Sequence, residues 1–445
     1  MKHQIQLSDH FTYGRLLRFV FPSIVMLIFT SIYSVVDGLF VSNLVGDNAL
    51  AAINIVWPLA MMVGAFGFML GSGGSAEIAR AMGQGEPERA RRYFTSLVLA
   101  VIAIGTVLSV LCCLFMEELS RLFGASDLLL EDCVTYGFIM LAGSVPFMLQ
   151  SCFQSYLLAA ERPKLGLWLT VAAGLTNAVL DYVFIGLMDM GVAGAAWATV
   201  AGYLVGGIIP LLYFLLPNKS PLRFTRTHAY PRMLMKSCAN GSSELMTNIS
   251  ASAVNVLYNI QVMHLAGEAG VAALSIILYV NFVFISAFIG LGMGAAPLFS
   301  YHYGRGNTDE LKSLFRKCIT VLTVLSVTMA VTSQVFNEPL TRLFVDFDQS
   351  LVDMTVHGFR IFAVSFLFAG TNIFGSMFFT ALGDGLDSAL ISFLRTLLFQ
   401  CGAIWLLPRL WGLDGVWVAT TAAELMAICV TVSLFLLRRK RYGYL

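Results

Sequence analysis

The chain has 445 residues, 58% of them hydrophobic and 12% charged, with a mean hydropathy of +0.79, whereas a soluble domain carries about twice that charged fraction, roughly 25%. It therefore reads as an integral membrane protein, and at roughly 20 apolar residues plus a connection per span its length allows about twelve spans and little else. A net charge of +1 with a pI near 7.6 lacks the basic footprint of a nucleic-acid binder and excludes nucleic acid as a partner.

The opening stretch MKHQIQLSDHFTYGRLLRF is polar for too long, and lacks the small-residue cleavage site, of a removed signal peptide. The first span is thus expected to direct insertion. Apolar windows bounded by charge clusters and Gly/Pro signals predict spans near 18–41, 49–75, 94–116, 131–158, 165–188 and 191–215, then near 237–264, 270–298, 315–336, 351–380, 388–408 and 412–437. The predicted fold class is an all-α integral membrane protein with twelve transmembrane helices in two six-helix bundles. An N-terminal lobe covers 1–215, a cytoplasmic inter-lobe loop 216–236 and a C-terminal lobe 237–445.

Positive charge is retained on the cytoplasmic side of short loops, and 22 of the 27 lysines and arginines fall in one set of connections. These are Lys2, Arg15 and Arg18 before span 1, Arg80, Arg89, Arg91 and Arg92 after span 2, Arg162 and Lys164 after span 4, and Lys219, Arg223, Arg226, Arg232 and Lys236 in the centre. Arg305, Lys312, Arg316 and Lys317 follow span 8, and Arg438 to Arg441 close the chain. Both termini are therefore expected in the cytoplasm. One loop of that set, 381–387, departs from it, carrying Asp384 and Asp387 and no positive charge. The eight cysteines are scattered through apolar runs without CxxC or His partners, and read as small buried hydrophobes.

Sliding the chain over itself by 221 residues brings distant stretches into register without a gap. Gly71 to Phe94 falls on Gly292 to Phe315, Leu44 to Ile55 on Leu265 to Ile276, and Gly137-Phe138 on Gly358-Phe359. Gly191, Gly194, Ala198 and Thr199 fall on Gly412, Gly415, Ala419 and Thr420. Six helices is an even number, so both halves enter the membrane in the same sense, related by an axis along the membrane normal. Two such bundles enclose a cleft, and rocking them exposes it to one side and then the other. The repeated Gly-rich stretch GQGEPERARRYF has no following Lys-Ser or Lys-Thr and no preceding strand, so it reads as a helix C-cap followed by a short cytoplasmic amphipathic segment rather than a phosphate cradle.

An ionisable side chain within hydrocarbon is costly unless paired, hydrated or neutralised, which makes each one a functional candidate. Asp37 lies about four residues from the outer end of span 1, and Asp181 about seven from the outer end of span 5, with Asn177 one turn before it on the same face. Thr199 lies about eight residues from the outer end of span 6. All four sit within roughly 6 to 17 Å of one membrane face and can meet inside the first bundle. Two carboxylates sharing a dry pocket repel, so the pair invites a proton or a Na⁺ ion, and Asn177 and Thr199 add neutral oxygen that suits a small hard cation. Pro22 removes a backbone hydrogen bond in the same helix as Asp37 and makes span 1 a candidate moving part. The second half has Tyr258 and Gly402 where the first has Asp37 and Asp181, so the chemistry is asymmetric. Glu244 and Glu424 are candidates for a cationic substrate in the cleft, Glu424 with Arg395 or Arg360 as alternative partners, while Glu77 and Arg80 read as a plain i, i+3 ion pair.

These residues resemble the multidrug and toxic compound extrusion (MATE) transporters over essentially the whole chain, and within that family the prokaryotic branch with an Asp in helix 1. The resemblance rests on the 6+6 repeat, Pro22 through Asp37-Gly38, LVGDNALAAINIVWP, the Gly-rich loop after span 2, Asn177-x3-Asp181, and Gly191-x2-Gly194 leading to Thr199. It implies a V-shaped pair of lobes in a prokaryotic cell (inner) membrane, exporting bulky organic cations as a monomer and driven by inward H⁺ or Na⁺, with no other cofactor. It further implies a cation-coupling site at Asp37, Asn177, Asp181, Ala195 (through its carbonyl) and Thr199, and bending of helix 1 at Pro22. Its nearest rival is a lipid-linked precursor flippase of the related superfamily, which needs several cleft-facing cations where only Arg360 and Arg395 lie within spans. An intramembrane enzyme is the remote alternative, since no Asp-rich metal motif, HExxH or Ser/His constellation is present.

Overall fold

The computed structural model describes residues 5–345 and 348–445, with the backbone alone at 39–44 and 47–50; Lys2 lies outside the described residues. Its helices follow the apolar runs. The first six are α1 (Tyr13–Leu44), α2 (Asp47–Gly83), α3 (Pro87–Leu114), α4 (130–159), α5 (Pro163–Leu187) and α6 (Gly191–Leu215). The second six are α7 (231–266), α8 (268–305), α9 (Thr308–Val335), α10 (Gln349–Leu382), α11 (385–411) and α12 (413–442). α4 is bent by 52° between Leu130–Ala142 and Ser144–Ala159. Short helices at Met116–Leu122 and Asn337–Arg342 lead into α4 and α10 at corresponding points of the two halves.

The 221-residue repeat is written into the backbone. Gly46 and Gly267 have φ of 105° and 61°, Gly85 and Gly306 of 80° and 73°, and Gly191 and Gly412 of 55° and 56°. Each pair stands where one helix gives way to the next, in a conformation that only glycine adopts without steric cost. Two boundaries differ from the sequence reading. The Arg-rich stretch after Gly85 is the opening of α3 itself, started at Pro87, where the missing N–H costs nothing. Likewise α7 begins at Pro231 and shortens the inter-lobe connection to 216–230.

In lipid the helices associate through close packing rather than water exclusion, which favours small residues at crossings. α2 and α8 cross at their arginine-rich ends with reciprocal symmetry: a Cβ on Gly83 would lie 2.0 Å from the carbonyl oxygen of Tyr301, and one on Gly304 would lie 2.4 Å from that of Arg80. Both pairs are related by the same 221-residue offset. Gly73 of α2 meets Ser237 and Gly241 of α7, and Gly290 and Gly294 of α8 meet Val20, Ser23 and Ile24 of α1. These glycine-mediated contacts between the halves all lie toward the arginine-rich end. Two further links cross there. Lys236 of α7 reaches Glu77 of α2 at 2.8 Å, and Arg80 of α2 donates to the carbonyl of Leu382 at the end of α10, 2.7 Å away.

The acidic loop 381–387 has a local explanation. Asp387 binds Arg438 through both oxygens, at 2.5 and 2.9 Å. Asp384 accepts from the Tyr442 hydroxyl at 2.5 Å and lies 3.5 Å from Arg441. Its lack of lysine and arginine is made good by the basic C-terminal turns, which stand on the same side of the molecule.

Candidate functional site

α1 and α5 are brought together at Gly174, whose absent side chain makes room for the rings of Phe29 and Tyr33. One turn further along α1 and two turns further along α5 stand the ionisable residues. Asp37 and Asp181 have neighbouring carboxyl groups, and Asn177 donates from Nδ2 to Asp37 Oδ1 across 3.4 Å. Asp181 is 0% exposed, and neither of its oxygens has a hydrogen-bond partner among the described residues. It closes the α-helical part of α5; from Tyr182 to Leu187 the helix widens to π geometry, a distortion that recurs at functional sites.

A buried carboxylate without partners is costly. Two unit charges about 4 Å apart repel by about 4 kcal/mol at an effective dielectric of about 20. One proton shared between the acids, or one small cation between them, removes both costs at once. That is what this donor set can do chemically: a buried carboxyl group of Asp181, the half-buried one of Asp37 and the Asn177 side chain stand side by side. Thr199 and Ala195 stand differently. The Thr199 hydroxyl donates to the Ala195 carbonyl at 2.9 Å, and neither makes a hydrogen bond to the acids among the described residues. Tyr136 and Tyr203, both buried, stand within electrostatic range of Asp37, as does Tyr33. The sequence reading missed these three phenols, although Tyr33 is one turn before Asp37 and Tyr203 one turn after Thr199.

Pro22 is buried in the first third of α1, about 22 Å along the helix from Asp37 at 1.5 Å per residue. Its neighbour Ser23 donates to the carbonyls of Val20 at 2.6 Å and of Gly290, in the other half, at 2.8 Å.

The second half holds a different arrangement. Glu424 of α12, 4% exposed, receives Arg395 of α11 at 2.6 and 2.8 Å and Asn372 of α10 at 2.7 Å. Thr431 then donates to Asn372 at 2.9 Å. Arg395 also lies in a π segment, Phe393–Phe399. Of the two partners offered to Glu424 by the sequence, Arg395 is the one in contact, and it supplies from within the chain the positive charge that the Asp37–Asp181 pair lacks. Glu244, on α7 one turn beyond the Gly73–Gly241 contact, is half-buried, with no hydrogen bond or ion pair to its carboxylate among the described residues. Glu77 is more than a local pair, since Lys236 is nearer to it than Arg80, which stands 3.6 Å away. The eight cysteines are all free.

The family model described as MatE matches residues 22–183 and 245–404, one segment in each half. Multidrug export protein MepA of Staphylococcus aureus (strain MRSA252) is 21% identical over 426 residues, spanning 95% of this chain and 93% of its own. Among solved structures, MATE in complex with MaL6 is similar with a TM-score of 0.92 at 22% identity, over 100% of this chain and 99% of that one. The outward-facing conformation of a multidrug resistance MATE family transporter of the MOP superfamily gives a TM-score of 0.91 at 22% identity, over 100% and 98%.

Proposed function

The chain belongs to the MatE family, and from that premise we propose that it is an antiporter exporting bulky organic, mainly cationic compounds in exchange for inward H⁺ or Na⁺ at the Asp37–Asp181 pair. The observation that carries this reading is Asp181 itself: a carboxylate sealed from solvent, without a hydrogen-bond partner among the described residues, beside a second acid. Such a group is at rest only when a proton or cation accompanies it, and so its state follows the supply of cations. The MepA relative, a multidrug export protein by name, supports the substrate class.

The proposed mechanism draws on where the pieces stand. With the arginine-rich end in the cytoplasm of a prokaryotic cell, the crossings of α2 with α8, α2 with α7 and α1 with α8 close the cleft to the inside. Asp37 lies thirteen residues beyond the last of these contacts on α1, at Ile24, or about 20 Å toward the outside. A cation arriving at Asp37 and Asp181 removes their repulsion, draws α1 and α5 together and reshapes α1 about Pro22, which narrows the space open to a drug. Asn177 orients Asp37, and the Thr199 hydroxyl and Ala195 carbonyl complete the shell for Na⁺ after a small adjustment of α6. Glu244, one turn beyond the Gly73–Gly241 crossing, attracts the cationic substrate. The lobes then rock as units.

The driving force is adequate: one charge moved through ~150 mV releases about 3.5 kcal/mol, enough for a gradient of roughly several hundredfold. A flippase for lipid-linked precursors needs free cations facing the cleft, whereas Arg395 is taken up by Glu424. The test is dye efflux from proteoliposomes under an imposed pH gradient and, separately, a Na⁺ gradient. One gradient should drive efflux in the wild type, and Asp37→Asn with Asp181→Asn should abolish the coupling. Equal efflux by wild type and double variant under both gradients overturns the reading.

A further inference from the structure

The N-terminal strap and the opening of α1 belong to the first half by covalent connection and to the second half by packing. Leu7 and Phe11, both 0% exposed, join Leu16, Phe19 and Val20 in one apolar cluster drawn mainly from the second half, with Phe288, Leu291, Leu298 and Phe299 of α8 and Leu311, Leu314 and Phe315 of α9, while α2 of the first half adds Ala79. Polar contacts pin the same stretch to α9. The Phe11 N–H donates to Glu310 Oε1 at 2.9 Å, His10 Nδ1 meets Glu310 Oε2 at 2.6 Å, and Lys317 donates to the Phe11 carbonyl. Beyond Pro22 the allegiance changes: Met26 faces Gly166, and Phe29 and Tyr33 face Gly174, all on α5 of the first half. Pro22 and Ser23 sit at the changeover.

The exchange is mutual. Met233, Leu234 and Cys238 at the start of α7 pack in the core of the first half, while Val254, Tyr258 and Val262 further along pack in the second. Yet the two sides differ in how the strap is held. Toward the first half, the Leu7 N–H donates to Glu161 Oε1 at 2.8 Å. Glu161 holds that position with φ at 60°, where a side chain is sterically disfavoured.

We infer that residues 5–20 form a swapped latch: when the halves separate at the arginine-rich end, this segment stays on α8 and α9 of the second half, the Leu7–Glu161 bond breaks, and α1 swivels at Pro22. The inference rests on the antiport reading for its motion and extends it by naming the element that moves with each half. The asymmetry of anchoring decides the direction. Leaving the second half would expose five buried apolar side chains and break the strap's bonds to Glu310 and Lys317. Pro22 is where such a swivel costs least, because the i to i−4 hydrogen bond is already missing there.

The test uses the full-length protein in proteoliposomes, its eight native cysteines replaced by serine, with paired cysteines joined by a short thiol-reactive cross-linker. Gln6→Cys with Glu161→Cys ties the strap to the first half, and His10→Cys with Glu310→Cys ties it to the second. Expected is a loss of dye efflux of tenfold or more for the first cross-link, restored by cleaving the linker, and efflux within twofold of the uncross-linked protein for the second. Inhibition by the second cross-link, or none by the first, overturns the latch. Should both variants fail to move dye before cross-linking, the antiport reading is what fails. The latch is then read from spin-label distances, which need no transport: His10→Cys to Lys312→Cys stays single and narrow, while His10→Cys to Lys164→Cys becomes broad or bimodal. Two fixed distances, or spreading of the first, reject it.

Discussion

Lys236 of α7 reaches across the boundary between the halves and sets its ammonium 2.8 Å from the carboxylate of Glu77 on α2, whose side chain is 8% exposed. Glu77, Lys236, Arg80 and Tyr303 of α8, over whose ring the Arg80 guanidinium stacks 4.6 Å from the centre, line one polar cavity of about 480 Å³, and Arg80 also holds the Leu382 carbonyl. The closed end is therefore held by charge as well as by glycine crossings.

Glu77→Gln removes the negative charge of that contact while keeping an oxygen there. Because Lys236 is half-exposed, its pair contributes modestly, about 0–1 kcal/mol, which is up to roughly a fivefold shift in the balance of closed and open forms. A cysteine placed at Ala81 on the cavity wall should then react with maleimide about two- to fivefold faster than in the unaltered background. An unchanged rate would show that the ion pair does not hold the seam.

Gly83→Val and Gly304→Val should act alike, because each residue faces the backbone of the opposite half. Either substitution wedges α2 from α8 without touching the interior of a lobe. The expected outcome is a folded protein, by circular dichroism and thermal melting, that retains less than about a tenth of wild-type efflux, since overpacking at a backbone crossing typically costs 1–3 kcal/mol or more. Normal transport by either variant would mean that the crossing does not close during the cycle.

The Arg395–Glu424 pair makes a prediction about stability. Removing one partner strands the other charge in the second half, at a cost of about 3–5 kcal/mol. Arg395→Met should lower the thermal unfolding midpoint strongly, and Arg395→Met combined with Glu424→Gln should recover most of the loss. A double variant as unstable as the single one would show that the damage is steric.

Burial raises the pKa of Glu161 in the loop between α4 and α5 above the ordinary 4.5, an effect partly offset by the Leu7 N–H. An acid whose folded pKa is raised contributes stability below its unfolded value and loses it as pH rises through the folded one. Glu161→Gln keeps an acceptor for Leu7 and removes the titration, so the decline of the unfolding midpoint above pH about 4.5 should flatten. A slope identical to that of the wild type would place the titration elsewhere.

Much of this was legible in the amino-acid sequence because a membrane limits what a chain can do. Apolar runs mark the helices, and a duplication of 221 residues marks their grouping, down to Gly46 and Gly267, whose positive φ values recur at matching turns. Asp37, Asn177 and Asp181 could be placed together because depth along a helix is a matter of counting. What escaped depends on rotation about helix axes and on contacts between distant segments. Nothing in the local sequence of Lys236 points to Glu77, and Arg360 was as reasonable a partner for Glu424 as Arg395. The inner turns of α1 and α7 were assigned to lobes by chain order, while their packing is exchanged. Pro87 and Pro231 could have located the helix starts, since proline favours the first helical turn.

The central claim is that a cation and a substrate compete for the state of the Asp37–Asp181 pair. The most direct measurement adds a binding dye to purified protein in weak buffer while pH and Na⁺ electrodes record what is released. The account predicts displacement of about one H⁺ or Na⁺ per protein from the wild type and of neither from Asp181→Asn. Release undiminished in the variant, or no release from a wild type that binds the dye, would contradict it.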